Sequence, residues 1–203
     1  MNLIRELFHR VQVNLLQGEA LDIRYSQMPV EDLTQQDVLQ MLWQKTGILY
    51  EFAGRAGAAI GLRSADLSAP EVERLAQFSG QCGTAFQLQD DVLGIVGDAK
   101  QLGKPVGSDI REGKRTVIVL ESLRQMSAAE RDFALGVLGN PLAPPEDVSE
   151  LIGLLEQRGG LEHTRQLARQ MIEQALGQLA PLPQTPQRDH LQAWAHYMIA
   201  REF

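Results

Sequence analysis

The sequence predicts an all-α protein. Apolar residues recur at helical spacing through most of the chain, no segment alternates as a strand would, and no solenoid-length repeat is present. Residues 3–16 form the first helix, with Leu3, Ile4, Leu7, Phe8, Val11 and Leu15 on one stripe. If the helix runs on, Gly18 and Asp22 extend that stripe; a break at Gly18 would leave Asp22 on the surface. Tyr25 to Glu31 is a connector containing Pro29, and Asp32 or Thr34 caps a helix over residues 35–61. Val38, Leu42, Leu49, Phe52 and Ala56 share one face of it, with Lys45 in the middle. A lysine there either snorkels out or meets an anion in a cavity. Gly54, Gly57 and Gly61 are expected to mark close helix contact.

Ser68-Ala69-Pro70-Glu71 opens a long central helix, with Pro70 tolerated in its first turn. Thr116 to Leu123 has a strand-like composition but sits among helices, and a short buried helix is expected. Ser127-Ala128-Ala129-Glu130 is a capping box for a helix reaching Leu138. Asn140-Pro141 and Pro144-Pro145 bracket a turn, and Glu146 to Gln157 is a helix ended by Gly159-Gly160. Leu161 to Leu179 is a long amphipathic helix, PLPQTP is a linker, and residues 187–201 close the chain as helix.

At 203 residues the chain suits a single domain with a real core. Its 44% hydrophobic and 22% charged residues are those of a soluble globule. A net charge of −7, without a basic stripe, argues against a nucleic-acid partner. The lone cysteine, Cys82, allows no internal disulfide and suits a reducing cytoplasm. The N-terminus lacks a cleavable apolar run, and no stretch approaches membrane-spanning length. His9, His163, His190 and His196 have no ligand spacing and are expected to be structural or exposed. Ser/His/Asp nucleophilic chemistry has no signature here.

The chemistry concentrates in Phe86 to Thr116, FQLQDDVLGIVGDAKQLGKPVGSDIREGKRT. On a helical wheel Gly80, Gly83, Thr84, Gln87, Asp90, Asp91, Gly94 and Asp98 fall within about a third of the circumference. Leu75, Phe78, Cys82, Phe86, Leu88, Leu93, Ile95 and Val96 make the rest apolar. Small neighbours leave room beside the acids. Taken alone, Asp90 and Asp91 read as a solvated face. The loop that follows sets Lys100, Lys104, Arg111, Lys114 and Arg115 against Asp98, Asp109 and Glu112. Gly97, Gly103, Gly107 and Gly113 let that backbone turn or approach a ligand. Buried carboxylates call for a cation, and oxygen-only ligands suit Mg²⁺ before Zn²⁺. An acidic strip followed by a basic loop reads as a metal-bridged polyphosphate site.

The run FQ-x-x-DD-x-x-x-x-x-GD, then LGKPVGSD and GKRT, resembles the second aspartate-rich region of the trans-isoprenyl diphosphate synthases, the polyprenyl synthetase family. GEALD and Lys45-Thr46-Gly47 extend the resemblance toward the N-terminus. It implies an all-α bundle of mostly antiparallel helices of the isoprenoid synthase type, incomplete at its N-terminal side. Asp90 is then the first metal ligand, with Asp91 behind it through water. Lys45, Thr46, Gln87 and Lys104 hold diphosphate, Lys114 and Asp109 position the loop or line the pocket, and Asp22 faces the cavity. The cofactor implied is Mg²⁺, with Mn²⁺ as an alternative.

Three departures qualify this picture. The motif D-D-x-x-D ends here in Gly94, Glu19 replaces the usual Gln, and the family's first aspartate-rich motif is not in these residues. With water taking the volume vacated at Gly94, weaker metal binding is expected. The activity implied is condensation of an allylic diphosphate with isopentenyl diphosphate, incomplete in this chain alone. The alternatives are a non-catalytic regulatory subunit of a hetero-oligomeric synthase, or a diphosphate-binding helical module. A homodimer or hetero-oligomer is expected.

Overall fold

The computed structural model describes residues 2–96 and 107–201, and no strand occurs among them. Asn2–Glu6 (α1) passes through a π-turn, Leu7–Val11, into Gln12–Gln27 (α2). The helix therefore does not break at Gly18, and the expected connector from Tyr25 is helical as far as Gln27. A 3₁₀ turn, Val30–Asp32, leads to Gln35–Leu42 (α3), which runs through a second π-turn, Trp43–Gly47, into Ile48–Gly61 (α4). Thr34 caps α3: its hydroxyl accepts the Asp37 N–H at 3.2 Å, and Asp37 Oδ2 accepts the Thr34 N–H at 2.9 Å. Then follow Pro70–Val96 (α5), Ser108–Arg111 (α6), Val117–Gln125 (α7), Ala128–Val137 (α8), Pro145–Gln157 (α9), Gly160–Leu179 (α10) and Pro186–Ala200 (α11). No helix of the described residues is long and apolar enough to cross a membrane.

The π-turns correct two expected stripes. Each widened turn carries one residue more than an α-turn and rotates everything beyond it by most of a residue step. Val11 and Gly18 point inward, whereas Ile4 and Phe8 are 63% and 55% exposed. Likewise Val38 and Leu42 are buried before the second turn, but Leu49 beyond it is 49% exposed.

The chain gathers into two compact units, the first comprising Met1–Ala20, Gln40–Gln87 and Leu167–Arg201. In it, α11 lays Trp194 against Tyr50 of α4 and Phe78 of α5, with ring centroids 6.2 and 5.9 Å apart. Ala58, Ala59 and Val72 form a small core roofed by Leu67, Ala69 and Leu75. Arg201 stacks on Phe86 at 3.6 Å and donates to its carbonyl at 3.2 Å, fastening the last helix to α5.

The second unit comprises Leu21–Leu39 and Leu88–Gln166. Its core is α7, buried at Val117, Ile118, Val119, Leu120 and Leu123; the apolar run is helix, capped by Thr116. Helix α9 packs on α7 and α8, and Ser122 Oγ donates to Leu155 O at 3.0 Å. Gly160, the second expected helix terminator, instead starts α10; a Cβ there would lie 2.3 Å from Ile118 O. Gly159, at φ 81°, makes the turn. His163 bonds Gln35 Oε1 at 2.7 Å, a structural role.

The Ser127–Glu130 capping box forms as expected, and Glu130 also accepts from the Arg158 guanidinium. Arg158, then the Ser127 N–H and hydroxyl, hold the Glu130 carboxyl at about 2, below its ordinary 4.5. A depressed folded pKa stabilises fully above 4.5 and loses that contribution as pH falls toward 2. Glu130→Gln should therefore flatten the acid-side loss of stability over that window in denaturant melts. Parallel acid curves for parent and variant would refute the assignment.

Candidate active site

Lys45 and Thr46 sit in the second π-turn, within the first unit. The turn is held on both sides by glycine. A Cβ on Gly47 would lie 2.5 Å from Thr84 Oγ1 and 3.1 Å from Gly80 O, so its absence brings the turn onto α5. On the other side a Cβ on Gly18 would lie 2.4 Å from the Lys45 backbone nitrogen, so α2 packs directly on main chain. Across these contacts Thr46 Oγ1 donates to Gln87 Oε1 at 3.1 Å. Lys45 Nζ pairs with Glu19 Oε2 at 3.2 Å, a partner that the usual Gln would not supply as a charge.

Contrary to the expectation from the wheel, small residues on α5 do not all leave room for a ligand. A Cβ on Gly83 would lie 2.6 Å from the Tyr50 ring, and one on Gly80 3.1 Å from Glu51 Cβ. These positions serve helix packing, as does Gly54, whose Cβ would meet Leu75 O at 2.4 Å. Gly57 and Gly61 do not: nothing lies within 4 Å of a Cβ at either.

One turn beyond Gln87 along α5, Asp90 is half-buried and Asp91 is 8% exposed; both belong to the second unit. The volume at Gly94 is not left to water. Asp109 Oδ2 lies 2.9 Å from where a Gly94 Cβ would be, on the face that follows Asp90 and Asp91 by one turn. Asp109 is itself 8% exposed, and Lys114 Nζ donates to its Oδ1 at 2.6 Å. Burial works against the Lys114 ammonium, but Asp109, then Glu112 and Asp22, outweigh it and raise its pKa above the ordinary lysine value. The second unit thus gathers Asp22, Asp109 and Lys114 around the turn that follows the acidic pair.

The loop arginines serve the backbone. Arg115 donates to Met28 O at 3.2 Å and Gly113 O at 2.9 Å, and Arg111 to Ala143 O at 3.3 Å. Lys104, with Asp98, Lys100, Gly97 and Gly103, lies outside the described residues.

Among the described residues no group of three or more His, Cys, Asp or Glu side chains could hold a metal ion by itself. Adjacent carboxylates on one helix nevertheless fit Mg²⁺, which takes one or two carboxylates plus substrate phosphates and keeps several waters. Asp90 and Asp91 offer donors of that kind: oxygen only, one partly and one largely withdrawn from solvent.

The sequence model of polyprenyl synthetase matches residues 2–155. The chain belongs to the polyprenyl synthetase family. A short chain isoprenyl diphosphate synthase of Methanocaldococcus jannaschii is 37% identical over 153 residues, covering 75% of this chain and 45% of that protein. A polyprenyl synthase from Caulobacter crescentus, solved with calcium and isoprenyl diphosphate, superposes with TM-score 0.90 at 28% identity, covering all of this chain and 60% of that one. A geranylgeranyl pyrophosphate synthase from Corynebacterium glutamicum, complexed with isoprenyl diphosphate and magnesium, gives TM-score 0.85 at 27% identity, covering 98% and 56%. The chain spans about half the length of the curated relatives it matches.

The polyprenyl synthetase fold accounts for the all-helical architecture found here. Sequence reasoning missed the ion pair of Glu19 with Lys45, the seat of Gly18 on Lys45, and the filling of Gly94 by Asp109. Glu19 was visible as a departure, and its charge was the available signal. The other two arise from chain segments that meet only on folding.

Proposed function

We propose that this chain is the diphosphate-binding, C-terminal portion of a trans-prenyltransferase that condenses an allylic diphosphate with isopentenyl diphosphate. The observation that supports it best is the bond from Thr46 to Gln87 at 3.1 Å. It ties the Lys45-Thr46-Gly47 turn to α5 one turn before Asp90 and Asp91. Lys45 and Thr46 hold the allylic diphosphate, with Gln87 setting the orientation of Thr46. Asp90 is the first metal ligand, with Asp91 behind it; Asp109 and Lys114 stand at the third motif position, and Lys104 is assigned to the diphosphate by its sequence motif alone. Bound Mg²⁺ supplies charge stabilisation for the departing diphosphate. Lys45 adds positive charge where the leaving group becomes most negative, once the phosphate displaces Glu19 from it. The one thiol, Cys82, is buried and its pKa is pushed up to about 12, so it takes no part and suits a reducing cytoplasm. Exposed Ile4, Phe8 and Leu16 favour association with a second chain, as a homodimer or a hetero-oligomer.

Mg²⁺ with an allylic diphosphate should raise the melting temperature of the purified chain, whereas Mg²⁺ with sulfate should not. An unchanged melt would remove the site. Prenyl-transfer assays then separate the possible roles. Turnover only with a companion polypeptide carrying the first aspartate-rich motif fits the portion proposed. Stimulation of an already complete synthase identifies a regulatory subunit, and binding without turnover in any mixture identifies a diphosphate-binding module.

A further inference from the structure

Eight residues beyond the start of the second π-turn, Glu51 is a carboxylate only 7% exposed. Its Oε2 accepts from Trp43 Nε1 at 3.0 Å. Its Oε1 accepts from Arg10 and, at 3.1 Å, from Arg55. Both arginines are anchored in turn: Arg10 donates to Glu6 at 2.7 Å, and Arg55 to Glu73 at 2.6 Å and Leu67 O at 2.8 Å. Burial works against the Arg55 cation, yet Glu73 and Glu51 raise its pKa above the ordinary value. Glu51 is thus fixed from three directions, and the indole of Trp43 is fixed by it.

Trp43 opens the turn and its side chain also reaches the turn's end, with Cδ1 2.9 Å from where a Gly47 Cβ would be. The Arg10 guanidinium stands 6.0 Å from the same ring. A π-turn is rare beside the α-turn the backbone otherwise takes, and it persists where surrounding contacts impose it. Lys45 and Thr46 lie inside this one, so the geometry of the turn sets where both side chains point.

We infer that Glu51 is a positioning residue for Lys45 and Thr46: by holding the Trp43 indole it keeps the turn in the form that presents them. The inference rests on the reading of those two side chains as diphosphate contacts.

Titration calorimetry of the full chain with Mg²⁺ and inorganic pyrophosphate tests it, with a thermal melt of every variant. Trp43→Phe, which removes the indole N–H, and Glu51→Ala should each weaken pyrophosphate binding roughly tenfold, the scale of loss when binding groups are misplaced. Glu51→Gln keeps an acceptor for the indole and should recover most of the affinity. Glu73→Gln strips a partner from Arg55 without touching the turn, so it should lower the melting temperature and leave affinity within about twofold. If Trp43→Phe and Glu51→Ala lower the melt as Glu73→Gln does but leave affinity intact, the network is only structural and the inference fails. Should Glu51→Ala not fold, Trp43→Phe decides alone. A parent that binds no pyrophosphate would fail at the earlier step, taking the diphosphate reading and this role with it.

Discussion

Asp90→Ala should abolish the rise in melting temperature produced by Mg²⁺ with an allylic diphosphate. The carboxylate is half-buried on α5, one turn beyond the Gln87 that Thr46 engages. Removing it takes away the proposed first metal ligand while the phosphates keep their own charge, which then meets Asp91 without a cation between them. Losing a metal contact of this kind costs about 3 kcal/mol, or roughly a hundredfold in affinity. Because Asp90 is the more exposed of the pair, the unliganded melt should move little. Asp91→Ala is a different experiment: at 8% exposure its loss also disturbs packing, so the unliganded melt should fall as well. A liganded shift that survives Asp90→Ala but disappears in Asp91→Ala would reverse the two roles.

Gly18→Ala should be among the most damaging single methyl additions in the first unit. The new Cβ would sit 2.4 Å from the Lys45 nitrogen and 2.8 Å from its Cα, and neither is the end of a flexible side chain. Either α2 or the π-turn must retreat, at about 2–3 kcal/mol. That corresponds to a fall of roughly 5–10 °C in melting temperature for a chain of this size. Diphosphate affinity should fall with it, because the displaced backbone is that of Lys45. Gly57→Ala is the matched control: the glycine lies inside α4 with nothing within 4 Å of the added carbon, so up to about 1 kcal/mol of stabilisation is expected. Equal melts for the two variants would show that the close approach of α2 is not needed.

These contrasts mark where the sequence was legible. Helix class, the Ser127–Glu130 box, the Thr34 cap and the helical nature of Val117–Leu123 rest on local patterns, and local patterns survive into the structure. The site's order along the chain was equally plain, since FQ-x-x-DD and Lys45-Thr46-Gly47 carry their spacing with them. Glycine was the ambiguous letter. At Gly47, Gly80 and Gly83 it admits another helix, at Gly57 it admits nothing, and the residue type alone does not distinguish these uses. Gly94 shows the same limit. That a neighbouring carboxylate would take its place depends on Asp109, fifteen positions later, folding back beside it.

The widened turns at Leu7–Val11 and Trp43–Gly47 have a bearing on how this protein can be re-engineered. Each acts as a one-letter insertion in an otherwise uniform screw thread. Excising a single amino acid from the Trp43–Gly47 stretch would let the rod relax to a uniform pitch and leave everything past it on its present side of the axis. Relaxing the stretch with every amino acid kept would instead swing Leu49 to the side occupied by Val38 and Leu42 and take Glu51 away from Arg10. Any chimera spliced across either stretch by heptad counting will be out of step by that one letter, even with every motif residue retained.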